Sequence, residues 1–413
     1  MSGHDAILPA SAPAKPRDRW SRLALRFASV IRCGTINLVL PDGAHHRIVA
    51  AHSGPEATVV LRSGQAIRRL VTGGNVGWAE AYIDGLWETP DLRAVMALAA
   101  ANEAEWEELL MGNWWMRNIN TLTHKLRPNT RRGSKKNIMA HYDLGNEFYA
   151  QWLDPTMTYS SALFTSPDQD LQDAQLAKIH RLCQAIGLAP GMKLLEIGCG
   201  WGAFAEIAAR DYGAQVVGVT LSPSQLAYAQ ARISRAGLQD RVELRLQDYR
   251  DVPEQFDRIA SIEMFEAVGE EYWPVYFRTL HERLLPGGIA GLQTITICDR
   301  LFPTYRRSAD FIQRHIFPGG MLPSPNRLRE EVEKAGLAWK QDFWFGQDYA
   351  RTLARWNDAF QEVWPRIIGS TKLSRLPTDA RFKRLWEYYL LYCETGFRAG
   401  WTDVGQVLLA RSA

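Results

Sequence analysis

The residues with the most chemistry in them stand together at Glu196-Ile197-Gly198-Cys199-Gly200-Trp201-Gly202. Glycine lets a backbone turn tightly and come close to a ligand. The apolar run KLLEIG leads into this segment and a helical pattern leads out, so the ligand belongs at the carboxyl end of a strand. In the G-x-G-x-x-G fingerprint, which cradles a pyrophosphate, the third glycine follows the second by three. Here the third glycine follows the second by two, and an acid precedes the first by two. The next strand ends GVTLSPSQ and has no acid to hold ribose hydroxyls. Thr220, Ser222 and Gln225 are the candidate replacements, with Gln225 on the helix that follows. The third strand ends Gln247-Asp248-Tyr249. Asp248 is placed to accept from an adenine amino group, or is a turn-forming aspartate at a strand end.

That glycine spacing is the one used by S-adenosylmethionine-dependent methyltransferases, which have no pyrophosphate to bind. After the fourth strand comes Ser261-Ile262-Glu263-Met264-Phe265-Glu266-Ala267-Val268-Gly269. Nucleobase amino-methyltransferases carry an Asn/Asp-Pro-Pro-aromatic segment at this place, and it is absent. The five cysteines are scattered, with no C-x-x-C pair for zinc or redox chemistry, and read as free thiols of a reducing cytosol. No metal site is expected.

The elements that must carry these residues alternate from about Asp173 onward. Helix 173–187, strand KLLEIG, helix 202–212, strand QVVGVT, helix 222–236 and strand VELRLQ follow in turn. Strand RIASIE, a helix near 270–285 and strand GIAGLQTIT complete the series. This alternation predicts an α/β fold, a Rossmann-like parallel sheet with helices on both faces. The 413 residues exceed one compact core, so a second domain is expected. Residues 20–115 read as a small N-terminal α+β domain: strands TINLVL, RIVAAH and ATVVLR, then helices, the last running from Asp91 to Trp114 behind an N-cap at Thr89. Residues 1–19 lack an apolar signal core, and their Pro, Ala and Ser content predicts a disordered tail. The longest apolar run, Ala94 to Ala101, is too short to span a bilayer.

Between Leu109 and Tyr142 there is no acidic residue, while Arg117, Lys125, Arg127, Arg131, Arg132, Lys135 and Lys136 follow Trp114 and Trp115. A solvated linker over 116–136 is one reading. An interfacial anchor, with Trp at the headgroups and cations near anionic lipid, is another. Nucleic acid is a third, disfavoured by a net charge of only +3 and by the missing Pro-Pro segment.

Taken together, the motifs resemble the cyclopropane-fatty-acyl-phospholipid synthase family. The resemblance is carried by His141-Tyr142-Asp143-Leu144-Gly145-Asn146, Asp154-Pro155, Tyr159-Ser160, the glycine segment with Trp201, Thr220-Leu221-Ser222 and Gln247-Asp248-Tyr249-Arg250. Met264-Phe265-Glu266-x-Val268-Gly269, Ile316-Phe317-Pro318-Gly319-Gly320 and Phe345-Gly346-x-Asp348-Tyr349 continue it. It covers roughly 134–413, and it implies a methyltransferase domain over 137–413 with S-adenosylmethionine as cofactor. By this resemblance Tyr159 and Ser160 close over the methionine part of the cofactor, and Gly198, Gly200, Trp201 and Gly202 line its backbone side. Thr220 and Gln225 hold the ribose, and Gln247 with Asp248 the adenine. A bound bicarbonate acts as base in the family, at positions matching Ser161, Glu266, Gln293, Ile295 and Tyr349. The chain departs there: Ser161 stands for the usual Cys, Gln293 for His, and Ala267 for a His after the glutamate.

The resemblance further implies methyl addition to the double bond of an unsaturated acyl chain of a membrane phospholipid. It also implies a homodimer, working from the cytoplasm at the inner membrane face. An alkene is a weak nucleophile and needs contact distance and alignment. Its pocket must be dry, and Phe265, Phe311, Ile312, Phe317, Trp344 and Phe345 are candidate linings or ordinary core. The cationic chain must then lose a proton. Loss from the new methyl group closes a cyclopropane; loss elsewhere leaves a methyl- or methylene-branched chain, as in relatives of the furan fatty acid type. Gln293 cannot take a proton as His can, so the product is open between the two. A soluble small-molecule methyltransferase and a non-catalytic lipid binder are the competing classes.

Overall fold

The computed structural model describes residues 18–111, 144–370, 373 and 376–413. The chain divides into two compact units, Met1–Met116 and Arg117–Ala413. The basic segment 116–136, most of the predicted tail and His141-Tyr142-Asp143 lie outside the described residues.

The first unit begins with α1 (Arg19–Ser29), a helix that starts at the last residue of the expected tail and precedes the first expected strand at Thr35. Asp18 caps it, accepting from the backbone N–H of Trp20 and Ser21. The sheet holds β1 (Cys33–Val39), β2 (His45–Val49), β3 (His52–Leu61) and β4 (Trp87–Glu88) in the order β2-β1-β3-β4. Its helices are α2 (Gln65–Ile83), α3 (Leu92–Ala101) and α4 (Glu103–Met111). Two expectations are corrected here. The side chain that caps α3 is Asp91, which accepts from Ala94 N, whereas Thr89 hydrogen-bonds Asp91 backbone atoms. The long helix breaks at Asn102, whose buried amide accepts from Arg32 N and Cys33 N and donates to Cys33 O and Leu98 O. These bonds satisfy both polar atoms of a fully buried amide, which would cost about 1–3 kcal/mol if left unmet.

The second unit is built on a seven-stranded sheet in the order β10-β11-β9-β8-β5-β6-β7. Its elements are α5 (Asn146–Tyr149), α6 (Leu171–Ala185), β5 (Lys193–Ile197), α7 (Ala203–Tyr212), β6 (Gln215–Thr220), α8 (Pro223–Arg235), β7 (Val242–Leu246) and β8 (Phe256–Ile262). They continue with α9 (Trp273–Arg283), β9 (Leu284–Ile297), α10 (Phe302–Tyr305), α11 (Phe311–His315), α12 (Pro325–Lys334), β10 (Leu337–Trp344), α13 (Gly346–Gly369), α14 (Ala380–Arg398) and β11 (Thr402–Arg411). Strands β5 to β9 pair in parallel, as the alternation predicts. The sequence reading made no provision for β11, which enters antiparallel between β9 and β10.

Period-two alternation divides the core. On β5, Leu195 and Ile197 pack with Trp273, Tyr276 and Phe277 of α9. Leu194 packs the other way, with Ile179 and Leu182 of α6 and Phe204 and Ile207 of α7. Both faces are thus covered, as a parallel sheet requires. Among the described residues no helix is long and apolar enough to cross a membrane.

Candidate active site

The carboxyl ends of the parallel strands open into one cavity of about 430 Å³. Such crevices are where open α/β sheets bind ligands. One end holds the glycine segment. Gly198 has φ +86° and a Cβ there would stand 2.8 Å from Met264 Cγ, so no other residue fits without displacement. Gly200 has φ +50° with open space before it, room a close ligand needs. Gly202 turns away from the cavity: it starts α7 at φ +85° and packs on Ala229. The indole Nε1–H of Trp201 donates to Asn146 Oδ1 at 2.8 Å, and Asn146 Nδ2 donates to Ser224 O at 3.0 Å, tying α5 over the loop.

Thr220, Gln225, Gln247 and Asp248 all line the cavity beyond the glycines. Thr220 Oγ1 donates to Gln225 Oε1 at 3.3 Å. Gln247 Nε2 donates to Asp251 O. Asp248 takes two hydrogen bonds from the Arg250 guanidinium, at 2.8 and 2.6 Å, and one from Arg250 N. It therefore closes a strand-end turn while also facing the cavity. Ser222 is absorbed as the N-cap of α8. One acid that the sequence reading left without a role stands beside them. Glu196, 4% exposed, has its Oε2 in the cavity wall without a partner, and burial pushes its pKa up to about 8. An orphaned buried acceptor, a glycine cradle and polar groups at three strand ends fit S-adenosylmethionine.

The middle of the cavity carries two more glutamates. Glu266 Oε1 accepts from Ile295 N at 2.6 Å and from Thr294 Oγ1 at 3.0 Å, while its Oε2 has no partner. Burial, then the charge of Glu263, pushes its pKa up to about 8. Glu263 follows the end of β8 with φ +48°, a left-handed conformation unusual for a residue with a side chain. Its Oε1 accepts from Ser161 N and Gln293 Nε2, both at 2.8 Å, and its Oε2 from Tyr349 O–H at 2.6 Å. Burial raises its pKa, opposed by the Lys178 cation and these donors.

Lys178 is itself buried, donates to Ser160 Oγ at 2.6 Å, and is depressed to about 8 by burial, against the attraction of Glu263 and Asp154. Gln175 Nε2 holds Ser160 O at 2.8 Å, so α6 positions the Tyr159-Ser160 turn. The Tyr159 hydroxyl pairs with that of Tyr389 at 2.7 Å.

The structure thus brings Glu266, Ile295, Tyr349, Tyr159 and Ser160 to the cavity. Ser161 and Gln293 stand behind Glu263, and Ser161 Oγ turns aside to Ala162 O. Three of the positions matched to a bicarbonate site therefore spend their donors on a side-chain carboxylate. This donor set does not fit an added anion. Glu263 and Lys178 were missed from sequence. Lys178 had left a signal, standing at i+4 from Ala174 and i−4 from Leu182 on an apolar helix stripe.

Apolar side chains also line the cavity, among them Ile312, Phe317, Met321, Leu322, Leu353 and Phe397, with Tyr305, Asp310 and Gln313 beside them. Of the predicted lining, only Ile312 and Phe317 are found there. Phe265 is core, ringed by Trp273, Tyr276 and Phe277. Phe311 packs on Tyr388 and Tyr392, Phe345 is buried against Phe343, and Trp344 packs on the core. Among the described residues no cluster of His, Cys, Asp or Glu could hold a metal.

Residues 129–407 match the family described as mycolic acid cyclopropane synthetase. The chain is similar to the tuberculostearic acid methyltransferase of Mycobacterium tuberculosis, 37% identical over 389 residues, covering 91% of this chain and 88% of that protein. It is 34% identical over 410 residues to the cyclopropane-fatty-acyl-phospholipid synthase of Escherichia coli, covering 96% and 94%. A solved mycolic acid cyclopropane synthase in complex with SAH and CTAB superposes with a TM-score of 0.62 at 34% identity, covering 70% of this chain and all of that one.

Proposed function

The chain belongs to the mycolic acid cyclopropane synthetase family and is an S-adenosylmethionine-dependent methyltransferase, and we propose that its acceptor is the double bond of an unsaturated acyl chain on a membrane phospholipid. The observation that carries this reading is one cavity in which the glycine cradle, two buried glutamates and an apolar lining meet. The cofactor supplies an electrophilic methyl group on a sulfonium and leaves as a neutral thioether.

This chain's residues do the rest. Ile312, Phe317, Met321 and Leu353 seat the acyl chain and exclude water, which would otherwise trap a cation. Tyr159, held by the Tyr389 hydroxyl, lines the same cavity and offers an aromatic ring to the developing positive charge. Glu266 lines the cavity with a partnerless Oε2, and its carboxyl dipole favours that charge electrostatically. A proton loss then ends the reaction as a cyclopropane ring or as a methylene- or methyl-branched alkene. The second ending is favoured by Gln293, which stands where a histidine is usual.

As partners we propose a phospholipid membrane and a second copy of the chain. The first is supported by the basic, Trp-flanked segment and the second by family resemblance alone. The N-terminal unit is proposed as the accessory domain serving these contacts, with the protein peripheral at the inner membrane face.

The test is mass spectrometry of phospholipid fatty acids after incubation with methyl-labelled cofactor and unsaturated vesicles, separating ring from branched products. Labelled acyl chains support the reading, and their chromatographic class decides the ending. No labelled lipid, with cofactor still bound, refutes a phospholipid acceptor.

A further inference from the structure

We propose that Glu263 is the base that ends the reaction, a carboxylate built into the chain that makes an added anion unnecessary. The inference rests on the acyl-chain reading above.

Methyl transfer uses the double-bond electron pair to form the new carbon–carbon bond. The chain is left positively charged, with one proton to lose. Five carboxylates face the cavity: Glu196, Asp248, Glu263, Glu266 and Asp310. Asp310 caps α11, accepting from Gln313 N at 2.8 Å. Glu196 and Asp248 lie at the strand ends that surround the glycine cradle, and Asp248 is bound by Arg250. Glu266 lacks any cationic neighbour among its interactions, and its acid form is favoured at neutral pH. Glu263 differs from all of these. A backbone N–H, an amide and a phenol converge on its oxygens, and the Lys178 cation is a neighbour. Ser161 N and Gln293 Nε2 can only donate, so Oε1 accepts twice and carries no proton; these donors, Tyr349 and the Lys178 cation favour the ionised form against the burial that raises its pKa. Oε2 takes one bond from Tyr349 and keeps acceptor capacity toward the cavity.

The balance closes without a co-reactant. Oε2 takes the proton, and the C–H electron pair forms either the third ring bond or a new double bond. Glu263 becomes a neutral acid and returns the proton to water when product leaves. Glu263 holds a left-handed backbone, φ +48°, and lines the cavity. A base tethered to the strand end reaches hydrogens on one side of the chain only, so it selects the product.

The experiment measures turnover of unsaturated vesicles by the full chain in buffer stripped of carbon dioxide and in buffer with added bicarbonate. Wild-type product formation in either buffer establishes the acyl-chain reading independently. The rate is expected to be the same in both. Glu263→Gln should lower kcat by about 10²–10⁴, the range general bases contribute, with cofactor affinity unchanged by calorimetry. Glu263→Gly relieves the backbone and opens the carboxylate's place, so added formate or bicarbonate should restore at least part of its rate. A wild-type rate that collapses without bicarbonate, or a Glu263→Gln enzyme with wild-type kcat, overturns the proposal. No lipid product from the wild type under any condition instead refutes the acyl-chain reading.

Discussion

Gln406 Nε2 of β11 stands 3.1 Å from Gln293 Oε1 of β9, and this contact determines which way the Gln293 amide faces. Arg181 Nη1, which can only donate, binds Gln406 Oε1 at 2.7 Å. Gln406 must therefore turn its NH2 group to Gln293, whose oxygen accepts. Gln293 is left with its own NH2 group toward Glu263. A strand with no place in the parallel-sheet pattern thus orients a side chain that binds Glu263 of the cavity lining.

That relay is open to test. Gln406→Glu presents an acceptor to Gln293, whose amide must then reverse and aim its oxygen at Glu263. We expect kcat to fall roughly tenfold to a hundredfold with the cofactor KM little changed, since an interaction made near the reacting centre is lost rather than uniform binding. Steady-state kinetics check this, and a rise in KM alone would place the relay elsewhere.

Glu266→Gln replaces the carboxyl and keeps the bonds from Ile295 N and Thr294. Turnover should drop by about 10²–10³, as for other preorganised electrostatic groups. Calorimetric binding of the cofactor should be retained. Full activity in this variant refutes the role.

Stability should fall as pH rises from about 5 toward 8. Glu196 and Glu266 are carboxyls raised to about 8 when folded. The folded state holds their protons above the unfolded pKa near 4.5, so their contribution is complete below that value and lost on approach to 8. Each changes stability by at most about 1.4 kcal/mol per pH unit. Lys178, depressed to about 8, is protonated in both states through most of this window and adds slope of the opposite sign only above it. Thermal melts across the window should show the decline, and Glu196→Gln should flatten it.

Gly198→Ala forces a side chain into a left-handed position and toward Met264 Cγ. We expect about 2 kcal/mol of lost stability and cofactor binding weakened at least tenfold, on the order of 1.4 kcal/mol. Denaturant melts and titration calorimetry measure the two separately.

Replacing Lys135 and Lys136 by Gln should weaken binding to anionic vesicles at low salt, by on the order of 1 kcal/mol per charge. Sedimentation with vesicles measures it. Unchanged binding returns this stretch to an ordinary solvated linker.

The sequence by itself determined the strand–helix alternation, the glycine cradle and the strand ends that carry Thr220, Gln247 and Asp248, because these depend on local periodicity and on φ angles only glycine adopts freely. It also determined that Glu266, Ile295 and Tyr349 belong to one site, through motifs matched residue by residue. Only the tertiary structure decided what Ser161 and Gln293 do. Ser161 lies 102 residues from Glu263 and Gln293 lies 30 residues from it. Their meeting depends on β8 ending beside β9 and on a left-handed turn at a residue that gives no local sign of it. Nor could periodicity separate Phe317, in the cavity wall, from Phe265, in the core. Both are buried aromatics, and what distinguishes them is the empty space on one side, which only the packed chain creates.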